Sequence, residues 1–258
     1  MEDRLKGQSI IVFGSATGIG AATVKRLTDE GARVCAADIN LEGAERTARE
    51  AGGETLAVHV DISDEASVGV AVAAAVARFG GLTGAHINAA DLRVIMEDSD
   101  ALTVDLAVFD RTIAVNLRGH LLCTRAVLPH LLKNKESAIV YTSSGAAHGG
   151  EPTRPSYAVT KAGLNALMRH VAARWGKEGV TANVLAPGFT ITGEMKAQME
   201  ANAAEAKKWS DYYQSRTPHT RLGEPEDHAG VVAMLMSRDG RWINGSVIDV
   251  NGGSLMRG

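Results

Sequence analysis

The chain has 258 residues, 45% hydrophobic and 22% charged, and its 27 Lys and Arg against 30 Asp and Glu leave a formal net charge of −3. That balance excludes a polycationic nucleic-acid binder, which needs a basic excess or a basic stripe, and the ordinary apolar fraction with small net charge excludes a disordered chain. Two cysteines, Cys35 and Cys123, make no disulfide framework, and no Cys-x-x-Cys or His-Glu-x-x-His spacing occurs, so no metal site is expected.

The predicted elements alternate along the chain. A strand over Ser9–Phe13 leads to a helix over Gly18–Glu30, then a strand over Arg33–Ala37 and a helix over Leu41–Ala51. A strand over Thr55–Val60 and a helix over Ser63–Phe79 precede a strand over Leu82–Asn88 and a long helical stretch over Thr103–Leu132, expected to bend or break near Pro129. Strands over Ala138–Thr142, Thr181–Leu185 and Ser246–Val250 alternate with helices over Ser156–Gly176, Glu194–Ser215 and Glu224–Met236. Parallel strands need crossover connections, so this alternation predicts an α/β fold. It is a doubly wound parallel sheet of about seven strands with helices on both faces. No linker, charge block or repeat divides the chain, so residues 1–258 are read as one Rossmann-like domain. The charged N-terminus shows no apolar leader, and the most apolar helical segment, Ala66–Ala77, is far short of the roughly 20 residues that span a bilayer. A soluble, cytoplasmic protein without membrane or nucleic-acid partners is the expectation.

The 28 glycines exceed the roughly 18 that average usage gives, and three of them punctuate the first strand–helix turn, Gly14-Ser15-Ala16-Thr17-Gly18-Ile19-Gly20. Such a turn lets a pyrophosphate approach bare backbone at a helix N-terminus, where unpaired N–H groups and a partial positive charge await it. Asp38 closes the second strand about 20 residues on, where a carboxylate accepts from ribose hydroxyls. It would also repel a 2′-phosphate, and no Lys or Arg stands at Ser15, Ala16, Thr17, Ile39 or Asn40 to hold that phosphate. NAD(H) is therefore favoured over NADP(H). Asp61, at the end of the third strand, fits either an adenine contact or a helix N-cap.

Tyr157 and Lys161 are four apart in a predicted helix and share a face. An ammonium beside a phenol favours the phenolate and lowers a pKa ordinarily near 10, toward the range useful for general acid–base catalysis.

Together these residues resemble the classical short-chain dehydrogenases/reductases over essentially the whole chain. The likeness rests on Gly14/Gly18/Gly20, Asp38, Asp61, Asn88-Ala89, Asn116, Ser143-Ser144, Tyr157-x-x-x-Lys161, Pro187-Gly188 and Thr192. The thirteen-residue spacing to Tyr157 selects Ser144 over Ser143. The resemblance implies that Tyr157 exchanges the proton with the substrate and that Ser144 holds the same oxygen. Lys161 lowers the tyrosine pKa and binds the nicotinamide ribose, while Asn116 anchors a water in a proton relay. It places Gly14, Ser15, Thr17, Gly18, Ile19, Gly20, Asp38, Ile39, Asp61, Ile62, Asn88, Ala89, Ala90, Tyr157, Lys161, Pro187, Gly188, Thr190 and Thr192 around the cofactor. It also implies a homotetramer or homodimer. Three positions depart from the family: Phe13 stands for the usual Thr, Ile87 for the first Asn of Asn-Asn-Ala-Gly, and Ala90 for its Gly. Loss of two ordering side chains would have to be offset by apolar packing.

Ligands in such sheets bind beyond the carboxyl ends of the strands. Residues 190–221 are expected to form a helical lid, with Met195 and Met199, together with Ala146, His148, Gly150 and the Ala90–Met96 loop, facing a neutral, hydrophobic secondary alcohol or ketone. An NAD-dependent alcohol dehydrogenase/ketoreductase is the leading reading. The alternatives are a 3-oxoacyl-thioester reductase of the same fold and a dinucleotide-binding regulator without catalysis.

Overall fold

The computed structural model describes residues 3–193, 195–196 and 202–257, with the backbone alone for 203–206. Its strands are β1 (Ser9–Phe13), β2 (Arg33–Asp38), β3 (Thr55–His59), β4 (Gly84–Ile87), β5 (Ser137–Thr142), β6 (Val180–Pro187) and β7 (Val247–Val250). All pair in parallel in the order β3-β2-β1-β4-β5-β6-β7, so the doubly wound sheet expected from the alternation is what forms. The order reverses between β1 and β4, and the crevice beyond their carboxyl ends is where a ligand can enter.

Two apolar layers flank the sheet because successive strand residues point to opposite faces. Ile11 and Phe13 join one core with α3 (Glu65–Phe79), α5 (His120–Leu131) and α6 (Pro155–Trp175); Ile10 and Val12 join the other with α1 (Gly18–Asp29), α2 (Leu41–Ala51) and α8 (Pro225–Met236). Helices α2 and α3 begin where the sequence supplies an acceptor. The Asn40 side chain accepts from Gly43 N at 3.1 Å for α2, and Asp64 accepts from Ala66 N at 2.9 Å for α3. The cap of α3 is thus Asp64, not Asp61.

The long stretch expected over Thr103–Leu132 does break, but not at Pro129. Helix α4 (Leu106–Ile113) runs into a π-helical turn, Ala114–Gly119, before α5. Pro129 lies inside the last turn of α5, where its missing N–H forfeits a bond only near the helix end. The π turn places Asn116 in the interior, and such widened turns recur at functional sites. Gly119 is required there, because a Cβ at that position would lie 2.9 Å from the Ile62 carbonyl oxygen. The lid helix expected over Glu194–Ser215 is described as α7 (Ala203–Gln214), with Asn202 outside helix.

The departures at Phe13 and Ile87 explain each other. The two residues are register partners across β1 and β4, both fully buried in the same core. An aromatic–aliphatic cross-strand pair thus occupies the place of two polar side chains. Phe13→Ala should lower unfolding stability by about 3–5 kcal/mol, read as a lower urea midpoint at unchanged slope; an unmoved midpoint would show that the pair contributes nothing.

Candidate active site

The glycine turn is shaped by close backbone approach. Gly14 has φ +83°, and a Cβ there would lie 2.6 Å from Ala89 Cα; a Cβ at Gly20 would collide with the Gly14 carbonyl oxygen. Asn88 closes the turn, its Nδ2 donating to Gly14 O at 2.9 Å. Gly18 (φ +55°) lies under Thr192, whose Cγ2 would be 3.3 Å from a Cβ at that position. Residues of the segment after β6 therefore roof the start of α1. Thr17 occupies the N-cap position of α1 without a side-chain cap. The first N–H groups of α1 are thus without the capping oxygen that a Ser, Thr, Asp or Asn usually supplies. Ile19 packs against the α1–α2 core.

Asp38 sits at the mouth of this turn with its carboxylate oriented by the backbone. Oδ2 accepts from Ala16 N at 2.9 Å and Oδ1 from Asn40 N at 2.8 Å. Each oxygen has a further lone pair, so the carboxylate can still accept from a ligand hydroxyl. Ile39 beside it is 53% exposed. Asp61 Oδ1 accepts from Ser63 N at 2.9 Å and Ser63 Oγ at 2.7 Å. The Ile62 side chain is buried against Gly119. Ser15 is also fully buried, with its hydroxyl unpartnered.

Helix α6 brings Tyr157 and Lys161 together beside Ser144, and β5 anchors the arrangement. Lys161 is buried; its Nζ donates to Thr142 O at 2.9 Å, and the buried Ser143 hydroxyl donates to Lys161 O at 2.9 Å. Ser143 is thus structural. Ser144 is half-buried, accepts from Ala146 N at 3.2 Å and faces Tyr157. The Lys161 ammonium lies 5.5 Å from the Tyr157 ring centroid. Burial lowers the lysine to about 8.

The tyrosine departs from expectation. Burial pushes its phenol above the ordinary value, with the Ser144 hydroxyl and the Arg154 guanidinium pulling it partly back. Lys161 is not among the groups that offset this rise; its ammonium donates to the Thr142 carbonyl.

Asn116 is fully buried; its Oδ1 accepts from Asp91 N at 2.8 Å and its Nδ2 has no partner. Asp91 is held well below the usual carboxylate range, to about 2, by hydrogen bonds from Arg93, against the cost of burial, and from Arg111. Two more polar side chains are buried nearby. His86 Nε2 contacts Thr142 Oγ1 at 2.9 Å, and His120, opposite the Ile87 and Val115 carbonyls, is kept neutral, about 3, by burial and by the Lys161 charge.

Other predicted contacts have structural duties. Gly188 N donates to Val250 O at 3.1 Å, and the Thr190 hydroxyl lies 3.1 Å from Gly188 O and 2.7 Å from His228 Nε2. Pro187 ends β6, and Ala89 and Ala90 follow β4, half-buried. His148 is exposed but tied to Asn165 Nδ2 at 3.0 Å and to the Arg257 guanidinium at 3.0 Å. Gly150 is exposed, Ala146 and Met195 are half-buried, and Met199 lies outside the described residues. On the lid side, the Phe189 and Tyr213 rings stack at 3.6 Å with 9° between planes, and Trp209 follows at 5.9 Å from Tyr213.

Sequence reasoning passed over Asp98, Arg154 and the Thr142 carbonyl. Arg154–Pro155 did carry a helix-start signal, but a backbone carbonyl and a loop carboxylate 58 positions from its partners leave no local pattern. Among the described residues no group of three His, Cys, Asp or Glu could hold a metal, and no helix is long and apolar enough to cross a membrane.

Comparison with known proteins gives one consistent answer. A family profile described as enoyl-(acyl carrier protein) reductase matches residues 14–254. The chain is 34% identical to 2,5-dichloro-2,5-cyclohexadiene-1,4-diol dehydrogenase of Sphingobium indicum, covering 96% of this chain and 97% of the relative. It is 31% identical to levodione reductase of Leifsonia aquatica, covering 97% and 95%. Among solved structures it is similar to a 3-ketoacyl-(acyl-carrier-protein) reductase from Brucella melitensis complexed with NADH, with 31% identity, TM-score 0.86 and coverage of 97% and 99%. It is equally similar to a short-chain dehydrogenase from Burkholderia cenocepacia in complex with NADP, with 30% identity, TM-score 0.85 and coverage of 97% and 99%. Sequence match, parallel sheet and glycine turn agree that the chain belongs to the short-chain dehydrogenase/reductase family of oxidoreductases.

Proposed function

We propose that the protein is an NAD(H)-dependent dehydrogenase/ketoreductase that interconverts a neutral, hydrophobic secondary alcohol and its ketone, with Tyr157 as general acid and base. The observation that carries this reading is the convergence of Ser144, Tyr157 and a buried Lys161 beside the crevice at the β1–β4 reversal. The cyclic alcohols and ketones named for its relatives, a cyclohexadienediol and levodione, support a substrate of alicyclic type, and the stacked Phe189–Tyr213 pair offers an apolar wall for one.

The residues fit a nicotinamide dinucleotide. Gly14 and Gly20 keep the turn bare where a Cβ would fill it, and the uncapped start of α1 offers donors to phosphate oxygens. The Asp38 carboxylate, held by Ala16 N and Asn40 N, has lone pairs left for ribose hydroxyls. When bound, the nicotinamide supplies or accepts the hydride. The chain supplies the proton and the geometry. Ser144 Oγ holds the substrate oxygen, and Tyr157 Oη gives it a proton in reduction or takes one in oxidation. Lys161, near neutrality by burial, can hold or release a proton at Nζ one helical turn behind the phenol. The Asn116 amide, with an unpartnered donor, can order a water on that route. A 3-oxoacyl-thioester reductase on the same scaffold is the second reading, favoured by the named acyl-carrier-protein reductase of similar structure.

A panel of alicyclic and linear secondary alcohols with NAD, followed by absorbance of the reduced cofactor, is expected to reveal turnover that Tyr157→Phe lowers by about 10²-fold or more while NADH still binds; parent-like turnover in that variant would remove Tyr157 as the proton carrier. Asp38→Ala should raise the NADP-to-NAD ratio of kcat/KM at least about tenfold and up to about 10³-fold, since like charges at 4 Å cost up to about 4 kcal/mol at an effective dielectric of 20; an unchanged ratio would place the ribose elsewhere. Lys161 makes one pH-dependent contribution to stability. Burial lowers its folded pKa to about 8 from an ordinary value of 10.5, so its own contribution rises with pH between those values, while the buried thiols of Cys35 and Cys123, pushed up by burial, act in the opposite sense above about 9. The stability difference between the parent and Lys161→Met, in urea unfolding of the cofactor-free protein, should therefore move in the parent's favour from about pH 8 to 10.5, because the thiols are common to both; a difference that does not change with pH would show that Lys161 is not the titrating group.

A further inference from the structure

We propose that Asp98 is the positioning residue for the Tyr157 phenol, capping helix α6 from the loop after β4 and so fixing the first turn on which Tyr157 stands. The inference rests on the reading of Tyr157 as the proton carrier.

Helix α6 has no cap of its own. The residue at its N-cap position is Arg154, in the left-handed region at φ +65° and without a side-chain cap bond. That conformation is costly for a residue with a Cβ and persists only where neighbours impose it. Here the neighbours are two carbonyls, since Arg154 N donates to Asp98 O at 3.0 Å and to Ser99 O at 2.9 Å. The buried Asp98 carboxylate then does what a local cap would do. Oδ1 accepts from Ser156 Oγ at 2.8 Å and Ser156 N at 3.3 Å, and Oδ2 accepts from Tyr157 N at 2.9 Å. Charged acceptors on helix N–H groups make stronger bonds than neutral ones, and a carboxylate at this end also suits the helix dipole.

What makes this positioning rather than stability alone is where the other anchors lie. One turn further on, the helix is fixed to β5 by the Ser143 and Lys161 bonds. Lys161 therefore keeps its place when the first turn loosens, and Tyr157 does not. Its hydroxyl sits at the far end of a side chain with two torsions, so backbone wobble at residue 157 is amplified at the reacting atom. The other end of the same loop is tied as well, Asp91 N donating to Asn116 Oδ1 at 2.8 Å and the Asp91 carboxylate accepting from Arg111 Nε at 2.6 Å. The segment from Asp91 to Asp98 thus spans from the Asn116 turn to the Tyr157 helix start.

The test compares the parent with Asp98→Ala, Asp98→Asn, Ser156→Ala and Tyr157→Phe, using the best alcohol of the panel and NAD, with NADH affinity and urea midpoints measured in parallel. Asp98→Ala is expected to lower kcat roughly 10- to 100-fold, as small misplacements of a reacting group do, while the NADH Kd stays within about twofold and the pH midpoint of kcat does not move. Asp98→Asn keeps one acceptor and should fall between parent and Ala. A parent-like kcat in Asp98→Ala, a loss of kcat matched by equal loss of NADH affinity, or a displaced pH midpoint would each overturn the proposal. Should Asp98→Ala not fold, Ser156→Ala removes one of the three bonds and should lower kcat at least about threefold with NADH affinity kept; an unchanged kcat there overturns it equally. If Tyr157→Phe turns over like the parent, the function reading fails; if it is inactive while Asp98→Ala is parent-like, only the positioning role of Asp98 fails.

Discussion

The bond from Lys161 Nζ to the Thr142 carbonyl is the constraint on which the site depends. It takes a buried ammonium to the last residue of β5, and the Ser143 hydroxyl returns a bond from the next residue to the Lys161 carbonyl. A buried cation is tolerable only where its donors are met, so this pairing fixes the azimuth of α6 against the sheet. With the helix so oriented, Tyr157, one turn earlier, is set beside Ser144 at the carboxyl end of β5. Sheet and chemistry are therefore coupled through a backbone acceptor.

Burial outweighs the nearby charge at the phenol in this structure. Burial raises it, and Ser144 and Arg154 offset part of that rise. The geometry puts more weight on position than on acidity. Hydrogen bonds from β5 fix Lys161, and hydrogen bonds from the Asp91–Asp98 loop fix both Asn116 and the helix start. Placement of reacting groups is itself a large source of rate, and a lysine lowered to about 8 by burial remains available to exchange protons behind the tyrosine.

Phe13 stands against Ile87 at the β1–β4 junction, and the turn that follows is held by its own contacts. Asn88 donates to Gly14 O, and Gly14 meets Ala89 at backbone distance. Apolar burial can stand in for side-chain hydrogen bonds between these strands because both partners are apolar, leaving no polar group stranded.

The sequence by itself determined the parallel sheet, its two apolar layers, the glycine turn, Asp38 and the Tyr157–Lys161 spacing, because each depends on a local period or a turn that neighbouring residues impose. It misjudged what depends on distant partners. Pro129 was the visible helix breaker, yet the irregularity sits at Asn116, where a buried amide reaches Asp91 N and Gly119 admits the Ile62 carbonyl. Asp61 could be an N-cap by spacing, but Asp64 is the one that caps. The partner of the Lys161 ammonium, the Thr142 carbonyl, was not legible from the spacing either. Only the tertiary structure decided these, since a side chain's hydrogen bond goes to whichever acceptor the packed fold brings within reach, and the Thr142 carbonyl and the Asp98 carboxylate arrive from segments that carry no mark of it.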